Sequence, residues 1–278
     1  MNVRPRIVRS VCIISIMIAL VYFFTPLRAL GRSTSHFLPC KIDPRVRFEP
    51  GTERLADHVA AALPEAIAAV ERQHYRTFLK PISVFVCATP ESLASYGGTK
   101  NAGGFVFNGR LFISSKPQNT AERIPRLLTH ELSHLHLEQY SGMLGGAWGI
   151  PSWFKEGLAV LVGDGGGAET VSESEARGAI VAGNSFEPPL RGRPLFDRSG
   201  RSYGLAEHMW YRQSELLVRF MRERDEAAFR RLLDMLLDGK SLSAAVDVAY
   251  PEGLDAVVRE FRTDVAQKVS TVKSASKD

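Results

Sequence analysis

Two short segments constrain this chain more than anything else in it: His130-Glu131-Leu132-Ser133-His134 and Trp153-Phe154-Lys155-Glu156-Gly157-Leu158-Ala159. A helix turns by about 100° per residue, so side chains at i and i+4 stand only about 40° apart around the axis and two imidazoles can converge on one ion. The first segment therefore has the geometry of a two-histidine metal site as well as its pattern. A hydrolytic zinc site takes three protein ligands and leaves a fourth position for water, so a third ligand must come from elsewhere in the chain. Glu156 is the best offer, and Asp164 competes with it from a glycine-rich run, Gly163 and Gly165 to Gly167, that would hold a carboxylate loosely.

The surroundings of each segment support helices. Ile124, Leu127, Leu128, Leu132 and Leu135 form one apolar stripe at helical spacing, with His130 and His134 on its flank. Asn119 or Thr120, with Glu122, can cap this helix, and Pro125 requires regular helix to begin near it. His136 projects roughly 140° away from the two motif histidines and is expected at the surface. Around Glu156, Pro151 and Ser152 can open a short helix whose apolar face is Trp153, Phe154, Leu158 and Leu161. Gly157 costs that helix about 1 kcal/mol relative to alanine. Close approach to the His130/His134 helix would account for it.

Together the two motifs resemble the gluzincin branch of the zincin metallopeptidases, in particular the small bacterial peptidase MA-like proteins in which HExxH is followed by W-[FL]-x-E-G-x-A. The resemblance covers most of residues 46–267. It implies His130, His134 and Glu156 as ligands of Zn²⁺, and Glu131 as the general base that takes a proton from water and delivers it to the leaving amine. Twenty-one residues separate His134 from Glu156, a spacing unlike that of the large aminopeptidases, and their G-x-M-E-N signature is absent. The metzincin pattern fails too, because no glycine and third histidine follow His134 at the required places. The oxyanion needs a further donor. Tyr203, Tyr211 and His208 compete for that role; Tyr211 is preferred because Tyr211 to Val218 resembles the family's Y-x-Q-S-x-x-x-V helix. The resemblance further implies that extended peptide adds to an edge strand before the HExxH helix. The hairpin Gly103–Phe107, Asn108-Gly109, Arg110–Ile113 is the candidate, with an ordinary structural hairpin as the other reading.

The rest of the chain bears on placement. Arg4, Arg6 and Arg9 precede an apolar run from Val11 to Phe24, the layout of an export signal, removed near Ala29-Leu30-Gly31 or retained as a membrane anchor. Either outcome places the remainder outside the cytoplasm, in the periplasm of a Gram-negative cell. Cys12 lies inside that run, which leaves Cys40 and Cys87 to form a disulfide or stay as two buried thiols. A net charge of +5 gives no reason to expect nucleic acid as a partner. The expected organisation is a basic start (1–10), a signal or anchor (11–27), a linker (28–45), one zinc domain (46–267) and a disordered tail (268–278). The expected fold class is α+β: a strand near Val46–Phe48, a long helix from about Thr52 to Phe78, a strand Ile82–Cys87, a short helix, the hairpin, then helices to about 268. In zincin-like form, a small N-terminal sheet with an edge hairpin and a helical C-terminal lobe would flank the HExxH helix. Residues 163–202 are expected as a long loop, either covering a cleft or forming a disordered excursion. The functional expectation is a zinc-dependent endopeptidase acting on peptide or protein; the alternative is a non-catalytic, membrane-anchored envelope protein that keeps the fold to bind a partner.

Overall fold

A computed structural model describes residues 31–116, 118–192 and 197–275. The expected export segment, Cys12 included, lies outside the described residues, and among those described no helix is long and apolar enough to cross a membrane. The fold is α+β with a small mixed sheet and a larger share of helix, and the chain divides into two compact units.

The first unit comprises residues up to Ala60 and Ser83–Thr120. Its sheet has five strands, β1 (Leu38–Pro39), β2 (Val46–Phe48), β3 (Val84–Cys87), β4 (Gly104–Phe107) and β5 (Arg110–Ser114), in the order β1-β2-β3-β5-β4. β3 runs parallel to both neighbours, with Val84 opposite Val46 on one side and Leu111 on the other. A strand enclosed in that way has no solvent face, which explains why Val84, Phe85, Val86 and Cys87 are all buried. Parallel pairing also requires long crossovers. Helix α1 (Glu53–His74) connects β2 to β3, and α2 (Pro90–Ser95), capped by the Thr89 side chain, lies between β3 and β4. The β4–β5 hairpin forms as expected: Asn108 and Gly109 take φ of 52° and 71°, the left-handed pair that a tight two-residue turn demands.

One expectation is corrected in this unit, and one choice is decided. Residues 31–45, the described part of the expected linker, supply β1, and Phe37 and Cys40 are buried. Of the two states open to Cys40 and Cys87, the structure has two buried free thiols and no disulfide between them. Cys40 Sγ donates to Asp57 Oδ1 of α1 at 3.4 Å, whereas Cys87 packs among Phe37, Phe85, Leu93, Tyr96 and Phe112. The thiols serve different surroundings, and burial pushes Cys87 up to about 12, with the Glu49 charge adding to it.

The second unit, Ala61–Ile82 with Ala121 onward, is helical. It takes the later turns of α1, then α3 (Ile124–Gly149), α4 (Ser152–Val162), α5 (Glu173–Val181), a single 3₁₀ turn (Gly200–Tyr203), α6 (Glu207–Arg224), α7 (Glu226–Leu237), α8 (Leu242–Ala249) and α9 (Leu254–Ala275). α1 stops four residues before Phe78 because Tyr75 adopts φ of 60°, and Arg76 then reaches Asp234 and Asp238 at 2.9 and 2.7 Å. α3 buries Ile124, Leu128, Leu132 and Leu135 completely, as the stripe requires, and breaks at Gly142 (φ 70°, ψ 161°). No side chain caps its start: Asn119 instead donates to the carbonyls of Gly103 and Ser114. Ser152 does not cap α4 either. Its backbone N–H and hydroxyl both donate to Asp197 Oδ2 at 2.6 Å, so the cap comes from 45 residues downstream. Residues 163–202 are not one long loop, since α5 lies within them behind a Ser172/Glu175 capping box. α9 continues past residue 268, where a disordered tail was expected, to Ala275.

Candidate metal centre

α3 carries His130 and His134 one turn apart, and α4 brings Glu156 against them. His130 Nε2 lies 3.2 Å from His134 Nε2, and Glu156 Oε2 is 3.4 Å from each. Among the described residues this is the one group of three or more His, Cys, Asp or Glu side chains that converge closely enough to hold an ion. Four donors around a tetrahedral zinc, each about 2.0–2.1 Å from it, stand about 3.3–3.4 Å apart. The triangle in the structure has those edges. Two imidazoles and one carboxylate are also the donor types that zinc takes, so residues and spacing fit the ion.

Asp164 offers no such fit. Its side chain is largely exposed and pairs with Arg126 at 2.9 Å.

The electrostatics favour a cation at the triangle. Burial raises the Glu156 carboxyl, but the His134 and His130 imidazoles outweigh that and hold it well below the ordinary carboxylate range. Burial lowers His130, yet the hydrogen bond it donates to Glu156 and the charges of Glu131 and Glu156 leave it raised. Glu131, 8% exposed, is pushed up chiefly by burial; the histidines pull it down and the Glu156 charge adds to the rise. Glu131 is thus a buried carboxyl beside the triangle, raised by burial and coupled to the triangle's three members.

Of the three proposed oxyanion donors, the structure brings Tyr211 to the site. Its ring centroid is 6.3 Å from that of His130, and its hydroxyl donates to Glu207 Oε1 at 3.3 Å. Burial, then the charges of Glu156, Glu207 and Glu131, keep this phenol well above its ordinary value, so it stays protonated and can donate a hydrogen bond. Tyr203 donates instead to the Glu187 carbonyl, and His208 is engaged with Thr170.

Tyr211 arrives through helix packing that the sequence motifs only half disclose. α4 lies along α6, and a Cβ at Gly157 would sit 2.6 Å from the Ser214 carbonyl oxygen and 2.9 Å from Val218 Cγ2. The close approach that Gly157 permits is therefore to α6, and not to the His130/His134 helix as expected. Gln213, another polar member of the Y-x-Q-S segment, is buried and donates to the Asn184 carbonyl.

The far side of α3 corrects a second expectation. His136 is fully buried, not a surface residue. Its Nε2 donates to the Arg76 carbonyl at 3.0 Å, which leaves Nδ1 to accept from His74 Nδ1 at 3.0 Å; His74 Nε2 then accepts from the Ser133 hydroxyl at 3.0 Å. The residues after α1 cover the direction that helix geometry alone left open.

No protein-family model and no curated protein matches this chain. The reading of the site thus rests on its own geometry. Sequence reasoning overlooked the Asp197 cap, the Glu207 partner of Tyr211 and the Gly166 carbonyl, which accepts from His130 Nδ1 at 2.9 Å. The glycine run at 163–167 was the available signal for the last.

Proposed function

We propose that this protein is a zinc-dependent peptidase of the zincin type, with His130, His134 and Glu156 as metal ligands and Glu131 as general base. The observation that carries the reading is the donor triangle of 3.2, 3.4 and 3.4 Å with a buried carboxyl of raised pKa on the same helix. Zinc, when bound, supplies Lewis acidity toward a substrate carbonyl and lowers the pKa of water to about 7. Glu131 accepts a proton from the attacking water and returns it to the leaving amine, so it ends the cycle as it began. Tyr211 donates its hydroxyl to the oxyanion that develops on the former carbonyl, exchanging the Glu207 carboxylate for substrate. The burial of Glu131 strengthens its interaction with the water proton by excluding bulk solvent. The substrate class is peptide or protein, cut within the chain.

The test combines metal analysis with cleavage of peptide libraries. The wild type should hold one zinc per chain and His134→Ala none. At equal zinc occupancy, Glu131→Gln should lower hydrolysis by roughly 10²–10⁴-fold, and Tyr211→Phe by about 10²–10³-fold. Cleavage unaffected by Glu131→Gln removes the mechanism. A zinc-loaded wild type that cleaves nothing turns the reading toward a binding protein.

The proposed site of action is outside the cytoplasm, supported by the three arginines and the apolar run at the start of the chain. A reporter fused after Asp278 should be active in an exported location; activity in the cytoplasm would refute it.

A further inference from the structure

The glycine-rich segment that follows α4 touches the candidate ligand His130 more intimately than a connecting loop requires. Gly166 accepts from His130 Nδ1 through its carbonyl at 2.9 Å. A Cβ on Gly166 would stand 2.7 Å from the Arg126 carbonyl oxygen, one turn before His130 on α3, and a Cβ on Gly167 would stand 2.7 Å from His130 Cε1 and 2.9 Å from Nδ1. Gly167 also has φ of 90°, where a side chain is strained. The segment is held at both flanks: Arg126 meets Asp164 at 2.9 Å, Arg123 meets Glu169 at 2.9 Å, and Arg212 of α6 donates to the carbonyls of Ala168 and Val171 at 3.3 and 3.1 Å.

We infer that residues 163–168 form a strap that positions His130 for metal: the Gly166 carbonyl holds the proton on Nδ1 and so turns the bare Nε2 toward His134 and Glu156. A carbonyl can only accept, so the 2.9 Å contact dictates which ring nitrogen carries hydrogen. The partner is backbone, so no side-chain replacement removes it; only displacement of the strap does. Gly167 is the positioning residue, because any side chain there drives the strap off the imidazole. The inference rests on the zinc reading above, where a partner of this kind typically changes metal affinity by about 10–100-fold.

Two measurements test it. In the metal-free wild type, at a pH high enough that the His130 ring carries a single proton, long-range ¹H–¹⁵N correlation of the imidazoles should show that proton on Nδ1 and Nε2 bare; the opposite tautomer overturns the strap. Zinc affinity by chelator competition should fall about 10–100-fold in Gly167→Ala. The comparison is Gly183→Ala, which carries the same backbone strain (φ 82°) with nothing within 4 Å of the new Cβ. That variant should bind zinc as the wild type does. Equal losses in the two variants, or no loss in Gly167→Ala, overturn the strap while leaving the zinc reading intact. A wild type with no affinity for zinc overturns the zinc reading, and the strap's role with it.

Discussion

At the scale of single residues, the third ligand is the decision with the largest chemical consequence. Glu156 and Asp164 are both carboxylates after the HExxH segment, and side-chain chemistry alone cannot separate them. Their surroundings do. Glu156 Oε2 faces both histidines from a helix whose Trp153, Phe154 and Leu158 are buried, whereas Asp164 extends into solvent opposite Arg126. Glu156→Ala should therefore abolish stoichiometric zinc binding, while Asp164→Ala, which removes one exposed flank contact of the 163–168 segment, should retain it. Isothermal titration with zinc checks both, and the reverse order would transfer the ligand role to Asp164. The histidine pair was legible from sequence because i,i+4 convergence is a property of the helix itself. The fate of His136 was not, since the angle around a helix says which way a side chain points and nothing about what covers it.

At the scale of elements, Gly157 shows two effects in competition. Alanine in a helix interior gains about 1 kcal/mol over glycine from backbone entropy. Here the added methyl would meet the Ser214 carbonyl at 2.6 Å, backbone on a neighbouring helix that cannot turn aside as a flexible side chain can. Overpacking of this kind costs about 1–3 kcal/mol and should win. Gly157→Ala is expected to melt several degrees lower than the wild type and, by wedging α4 from α6, to lose activity through displaced Tyr211. A variant that melts higher would contradict the packing. The α4 cap makes a related point. Proline followed by serine reads as a helix start, and the helix does start there, yet the acceptor is Asp197. Local residue preferences located the end; a distant carboxylate satisfied it.

At the scale of the whole molecule, the buried Ser133–His74–His136 chain links folding to pH. Burial pushes His136 down to about 4 and holds His74 well below the ordinary imidazole range, with the His136 and His134 charges adding to the His74 shift. Both would titrate near 6.5 in the unfolded chain. Between about pH 6.5 and 4 the unfolded state thus binds more protons than the folded one, so stability falls as pH drops through that window and is fully present above it. For His136 the effect reaches about 3 kcal/mol at most. Denaturant unfolding of the metal-free protein at several pH values should show this loss, and His136→Gln, whose amide can accept from His74 and donate to the Arg76 carbonyl, should show a smaller one. Equal losses would mean that other groups carry the acid sensitivity.

Sequence by itself determined what depends on neighbours along the chain. The helix that pairs His130 with His134, the hairpin turned by Asn108-Gly109 and the α+β order of elements all follow from periodicity and from backbone preferences that act over a few residues. Only the tertiary structure decided what lies across from each face: that Gly157 meets α6, that His136 is enclosed, that Cys40 and Cys87 remain apart, and that the Gly166 carbonyl reaches His130. The reason is physical. A residue's own torsions and its near neighbours set its local conformation, but its burial, hydrogen-bond partner and pKa depend on atoms brought close by packing, some from the far side of a loop and others from helices tens of residues away.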